Sequence, residues 1–196
     1  MLTFPLSLRF KLIAVASQID VTDAQGASVF YVKQKAFRLK EAVTVYRDAT
    51  QGQALYRIAA DRVLDISAQY GITDPGGAAL GVLKRHGMRS LWRAHYEVEQ
   101  GGRPIFVIRE ENPWTKVFDS LFGSIPILGI FSGYLFHPAY LVSPPNEESP
   151  VLRVTKEPAL FEGRFRIEAL EPVTGSAAEL AVVSVLMTLL LERSKG

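Results

Sequence analysis

The sequence predicts an all-β fold: an antiparallel barrel of about twelve strands closed around a hydrophobic C-terminal helix. Three observations carry this prediction. Short runs with the two-residue alternation of half-buried strands recur along the chain, separated by turns rich in Gly, Pro and Asp. So many strands favour closure, because the edges of an open sheet would present unpaired backbone groups. The stretch ELAVVSVLMTLLLE at residues 179–192 is apolar on every side and needs an enclosure.

The first strand is read from Phe4, Leu6, Leu8, Phe10 and Leu12, which alternate with Pro5, Ser7, Arg9 and Lys11. The Ala14-Val15-Ala16 that follows imitates a signal-peptidase site. A signal peptide, however, carries its positive charges before its apolar core, whereas Arg9 and Lys11 fall inside it. Five hairpins come next. Residues 18–22 and 29–35 turn at Asp23-Ala24-Gln25-Gly26, and residues 42–47 and 55–59 turn through 48–52. Residues 70–73 and 80–84 turn at Asp74-Pro75-Gly76-Gly77, the strongest turn signal in the chain. Residues 92–99 and 105–110 turn at Gln100-Gly101-Gly102, and residues 140–142 pair with 151–155 across 143–150. A last strand is expected at 164–170. The spacing is irregular, which favours a meander of hairpins over a propeller or solenoid.

The helix is expected at 177–193, with Ser176 and Glu179 at capping-box spacing. Ser184 and Thr188 interrupt its apolar run and can bond to the carbonyls of the preceding turn. Its dozen apolar residues would span about 18 Å against about 30 Å of bilayer hydrocarbon, which favours a core plug. A membrane tail and a partner-binding helix are the alternatives. Residues 1–196 are read as one domain.

Composition narrows the function. Hydrophobic residues make up 48% and charged residues 21%, so the apolar content calls for a deep core or a membrane contact. A net charge of +2 provides no global drive toward nucleic acid or anionic lipid, so any such contact must be local. With no cysteine, disulfides, thiol nucleophiles and thiolate metal sites are excluded. His86, His95 and His137 have no metal-ligand spacing, and no GxSxG, P-loop or GxGxxG occurs. The adjacent acids Glu110-Glu111 and Glu147-Glu148 would point to opposite faces of a strand, which is poor geometry for paired acid-base work. The reading is therefore not an enzyme, with no cofactor and no metal.

Residues 112–136, NPWTKVFDSLFGSIPILGIFSGYLF, do not fit a plain hairpin barrel. Asn112 and Pro113 suit a helix start, and Trp114, Val117, Phe118, Leu121 and Phe122 fall on one helical face. From Ser120 to Phe136 there is no charge over 17 residues, while Pro126 and three glycines argue against one continuous helix. The segment reads as an apolar connection capping one end of the barrel. Alternatively, Trp114, Phe118, Phe122 and Ile125 enter a bilayer interface, or the segment spans a membrane. Basic residues form modest clusters: Lys33 and Lys35 on one strand face, Lys84 with Arg85 near a loop, and Lys156, Arg164 and Arg166 late in the chain. They are candidates for an anion or lipid-headgroup site, against the plainer reading of a solvated outer face. No aromatic stacking motif accompanies the cations, which disfavours nucleic acid.

Several short motifs resemble the LURP-one-related family of the tubby C-terminal-like superfamily, which is related to phospholipid scramblases. They are Tyr31-Val32-Lys33-Gln34-Lys35, Phe136-His137-Pro138-Ala139-Tyr140-Leu141-Val142, Lys156-Glu157-Pro158-Ala159-Leu160-Phe161, Gly163-Arg164-Phe165-Arg166-Ile167 and the closing Leu189-Leu190-Leu191-Glu192-Arg193. The resemblance implies a twelve-stranded barrel around a central C-terminal helix. Tubby proteins are associated with phosphoinositide binding and scramblases with lipid movement. Tubby's lipid-binding residues find no position-by-position match and no EF-hand-like calcium loop is present, so neither activity is carried over. The expected function is a non-enzymatic binding module, cytoplasmic and peripherally associated with a membrane or an acidic lipid headgroup. The alternative is a soluble structural or protein-interaction module with a protein partner, and the third reading is scramblase-like lipid handling.

Overall fold

The computed structural model describes residues 2–13, 16–35, 42–61, 68–85, 95–111, 139–159 and 163–193. Twelve strands form a closed barrel: β1 (Leu6–Ile13), β2 (Ala16–Thr22), β3 (Ser28–Lys35), β4 (Val43–Tyr46), β5 (Ala54–Ala60), β6 (Gln69–Thr73), β7 (Ala79–Arg85), β8 (His95–Gln100), β9 (Arg103–Glu110), β10 (Ala139–Ser143), β11 (Leu152–Glu157) and β12 (Gly163–Ala169). Each strand pairs antiparallel with its sequence neighbours. The barrel closes where β1 meets β12, with Leu6 opposite Ile167 and Phe10 opposite Gly163. Closure leaves no edge strand, which meets the backbone requirement that argued against an open sheet.

The alternation in the sequence is the alternation of the wall. Leu6, Leu8 and Phe10 are buried while Arg9 between them is exposed. Ile19 and Val21, Val43 and Val45, Leu152 and Val154, and Ile167 face inward in the same way. Near the turns of four hairpins the register shifts through a β-bulge, at Val21/Thr22, Val45/Tyr46, Ile72/Thr73 and Val98/Glu99. Such bulges add twist where adjacent strands are tied most closely.

The interior is filled by the helix Gly175–Arg193, in which every residue from Leu180 to Leu191 is buried. Twelve strands about 4.8 Å apart and tilted about 40° close on a diameter of about 24 Å. A helix with its side chains is about 10–12 Å across, which leaves about 6 Å on every side for the inward side chains of the wall. A helix with wall on all sides has no polar face to spare, hence the uniform hydrophobicity of 180–191. It packs tightly against Gly81 of β7, where a Cβ would lie 2.8 Å from Leu180 Cδ2 of the helix and 2.7 Å from the Glu99 carbonyl oxygen of β8.

Three expectations about this helix need correction. Its 19 residues are about 28 Å long at 1.5 Å each, so length and composition would suit a bilayer crossing. Enclosure by the barrel, not shortness, makes it a core helix. It starts at Gly175, whose φ of +63° turns the chain into the helix ahead of the predicted start. The first turn is joined by Ala178 N–H to the Thr174 carbonyl, and the Glu179 carboxylate accepts the Tyr56 hydroxyl in place of the expected capping box. Finally, Ser184 and Thr188 are buried with hydroxyls that have no hydrogen-bond partner, so the expected bonds to the preceding turn are not made.

Candidate functional site at one rim of the barrel

The two ends of the barrel differ. One rim carries the turns between β2 and β3, β4 and β5, β6 and β7, β8 and β9, and β10 and β11, and the passage from β12 into the helix. These connections contain Asp23, Asp48, Asp74, Glu147, Glu148 and Glu171 against a single cation, Arg47. The aspartates build the turns: Asp23 Oδ1 accepts the N–H groups of Gln25 and Ala27, Asp48 Oδ1 that of Thr50, and Asp74 Oδ1 that of Ala78. The hydrogen bonds from Thr50 hold the Asp48 carboxyl below the usual carboxylate range. The turn rim is therefore acidic, and the net positive charge of the chain lies elsewhere.

The opposite rim receives the C-terminal end of the helix and the remaining connections between strands, including the long one between β9 and β10. Trp114, Phe118, Phe122 and Ile125 lie outside the described residues. The point of departure is well defined, because Glu111 N–H bonds to the Ala139 carbonyl at 2.7 Å and Arg153 Nη2 reaches both Glu111 carboxylate oxygens at 2.8 and 2.9 Å. The apolar connection therefore leaves and rejoins the barrel at this rim.

Inside this rim three phenols surround the end of the helix. Tyr96 on β8 donates its hydroxyl to Glu192 Oε1 at 2.5 Å, and Tyr70 on β6 and Tyr140 on β10 are buried nearby. Burial first, then the Glu192 carboxylate, pushes the Tyr96 phenol far above the usual tyrosine range. Burial followed by Glu192 and Glu110 does the same to Tyr140, while Arg85 opposes the rise that burial imposes on Tyr70. At the other end of the helix Tyr56 is raised by burial and by its hydrogen bond to Glu179. Phenols held this firmly protonated are donors, not bases, and they bolt both ends of the helix to the wall. The guanidinium of Arg193 completes the end, 5.3 Å above the Phe10 ring.

The cationic candidates do not converge. Lys33 is exposed on β3, whereas of Lys35 only the backbone lies among the described residues. Lys84 is neutralised by Glu99 at 2.5 Å, and Arg85, opposite Tyr96 in the register, belongs to the phenol cluster. Both stand on β7, across the barrel from the others. Lys156 and Arg164 are exposed on β11 and β12, and Arg166 gives its Nε to Glu168 at 3.1 Å. One cation was missed from the sequence: Arg9, exposed on β1 and directly opposite Arg164. Nothing in a local stretch announces that pairing, because it joins the first strand to the last.

His95 lies on β8 opposite Arg109, while His86 and His137 lie outside the described residues. Among the described residues no group of three or more His, Cys, Asp or Glu is placed to hold a metal ion.

The LURP-one-related family model matches residues 28–127, which is 100 of the 196 residues. The chain belongs to the LURP-one-related family. The match takes in β3 to β9 and the first part of the apolar connection. The relation of this LURP-one-related chain to the tubby-like superfamily is consistent with that membership and with the closed twelve-stranded barrel around one C-terminal helix. No curated protein and no solved structure matches the chain.

Proposed function

We propose that this LURP-one-related protein is a non-enzymatic binding module that docks on acidic lipid headgroups through the rim at which the C-terminal helix ends. The observation that carries the reading is the polarity of the barrel. The connections at one rim set six acids against one cation, while those at the other balance six acids with six cations; that second rim also receives the apolar 112–136 connection and has the exposed cations Lys33, Lys156, Arg9 and Arg164 on or near it. With the helix filling the interior, a ligand is met at the wall or the rim and not in a lumen.

Magnitudes indicate what each part contributes. Cations near an anionic surface give about 1 kcal/mol each, so four supply about 4 kcal/mol, which is only millimolar partitioning. Charge alone steers the approach. Durable docking needs apolar insertion, for which Trp114, Phe118, Phe122 and Ile125 are the proposed residues. The protein is on this reading cytoplasmic and peripherally associated.

The test is flotation with vesicles of phosphatidylcholine containing about a third phosphatidylserine, at low and high salt. Binding at low salt that weakens sharply at high salt, and is lost in Trp114→Ser/Phe118→Ser, is expected. A folded protein that stays at the bottom of the gradient at low salt overturns the reading in favour of a soluble interaction module.

A further inference from the structure

The seam that closes the barrel holds an arrangement that folding does not explain. Arg9 of β1 and Arg164 of β12 are directly opposite in the register, and both are exposed on the outer face. Side chains so placed have Cβ atoms about 4.5–5.5 Å apart, and like charges there are destabilising. Acids flank the pair without bonding to it. Asp20, opposite Arg9 on the other side, is engaged by Lys11 at 3.2 Å. Glu157 is opposite Arg164 on β11 without forming an ion pair to it. Neither arginine has a hydrogen-bond or ion-pair partner among the described residues.

The surroundings extend the pair into a site. Arg166 is on the same outer face, two residues along β12, and commits its Nε to Glu168. Ser7 on β1 and Thr155 on β11 are opposite Arg166 on its two sides, which brings two hydroxyl donors to the edge of the arginine pair. Two neighbouring guanidiniums match the oxygens of a tetrahedral dianion, and hydroxyls satisfy its remaining lone pairs. A dianion would turn the repulsion between Arg9 and Arg164 into a shared attraction.

We infer that the β1–β12 seam binds a terminal phosphate monoester, carried by a lipid headgroup, with Arg9 and Arg164 as the clamp and Arg166, Ser7 and Thr155 along its edge. The inference rests on the membrane reading and sharpens it, because a dianionic monoester engages both guanidiniums where a monoanionic diester engages one. It therefore predicts selection by headgroup chemistry at equal surface charge.

The experiment compares flotation of the full chain, Arg9→Gln and Arg164→Gln on phosphatidylcholine vesicles containing either phosphatidic acid or phosphatidylserine, matched for zeta potential. A parallel titration with inorganic phosphate is followed through the arginine Nε–H resonances. The expected result is tighter binding to phosphatidic acid, with the preference over phosphatidylserine falling about tenfold in either variant, beyond the loss of about fivefold that removing one cation causes on both vesicle types. Both variants should melt within about 2 °C of the parent, since each exchanges a repulsion for the loss of one exposed cross-strand attraction; this excludes misfolding as the cause of the loss. Equal binding to the two vesicle types, or a preference that survives both substitutions, overturns the inference and leaves the membrane reading standing. Arg9 and Arg164 resonances that shift with phosphate while no vesicle is bound support the clamp with free phosphate as the source, and overturn the membrane reading instead. No response in either arm overturns both.

Discussion

Replacing Gly81 with Ala tests how the helix is seated in the barrel. The new methyl carbon would lie 2.7 Å from the Glu99 carbonyl oxygen and 2.8 and 2.9 Å from the two Leu180 methyls. Ordinary contact begins at about 3.4 Å, so atoms must part by about 0.5–0.7 Å. Leu180 can change rotamer, but the Glu99 carbonyl is backbone of the paired strand β8, so part of the strain falls on the wall itself. Overpacking of this kind costs about 1–3 kcal/mol. For a chain of this size each kcal/mol lowers Tm by about 2–4 °C, so thermal unfolding followed by circular dichroism should show a drop of about 2–12 °C. Leu180→Ala removes the flexible half of the clash. In a double-mutant cycle the two changes should therefore fall short of additivity by more than about 0.5 kcal/mol. An unchanged Tm, or additivity within that margin, would refute the seating of Leu180 against Gly81.

Two further predictions concern the polar atoms of the core. Thr188→Val removes a buried hydroxyl that has no partner while keeping its volume, and should raise stability by about 1 kcal/mol in urea titrations; a loss of that size would mean the hydroxyl is bonded after all. Alkaline pH should destabilise the fold. Tyr70, Tyr96 and Tyr140 have folded-state pKa values above the value near 10 of the unfolded chain, so their contribution is complete below about pH 10. Above it the unfolded state binds fewer protons, and stability falls by about 1.4 kcal/mol per pH unit for each tyrosine still protonated in the fold. Phenolate absorbance should then rise together with loss of the far-ultraviolet signal, and tyrosines that ionise near pH 10 in a still-folded protein would contradict the burial of the phenol cluster.

The wall of the barrel was legible because its physics is local. Each hairpin carries its own alternation and its own turn chemistry, so residues such as Ile19, Val45 and Val154 announce their burial within a few positions. The helix was legible as a plug for the same reason, although its start was not. Gly175 and Thr174 begin it, while Glu179 is drawn away by Tyr56, more than a hundred residues earlier in the chain. The candidate site was the least legible part. Lys84 looks like a free cation until β8 brings Glu99 beside it. Arg9 looks like one alternating strand residue among several until the barrel closes and sets it against Arg164. Charge becomes meaningful only through register, and register between distant strands is a property of the closed barrel.

The position of the plug along the chain also constrains how the protein is made. The segment that fills the centre is synthesised after all twelve strands, and the seam pairs Leu6 with Ile167. The ring cannot close before β12 is made, and its filling must wait for the helix that follows. Until then the inward faces of the strands have no apolar partner at the centre, which makes this a slow-folding topology with a long interval of exposed hydrophobic surface. Chains ending before Gly175 should therefore be expected as material for chaperones and proteases, with the 19-residue helix acting as the checkpoint that distinguishes a filled barrel from an empty one.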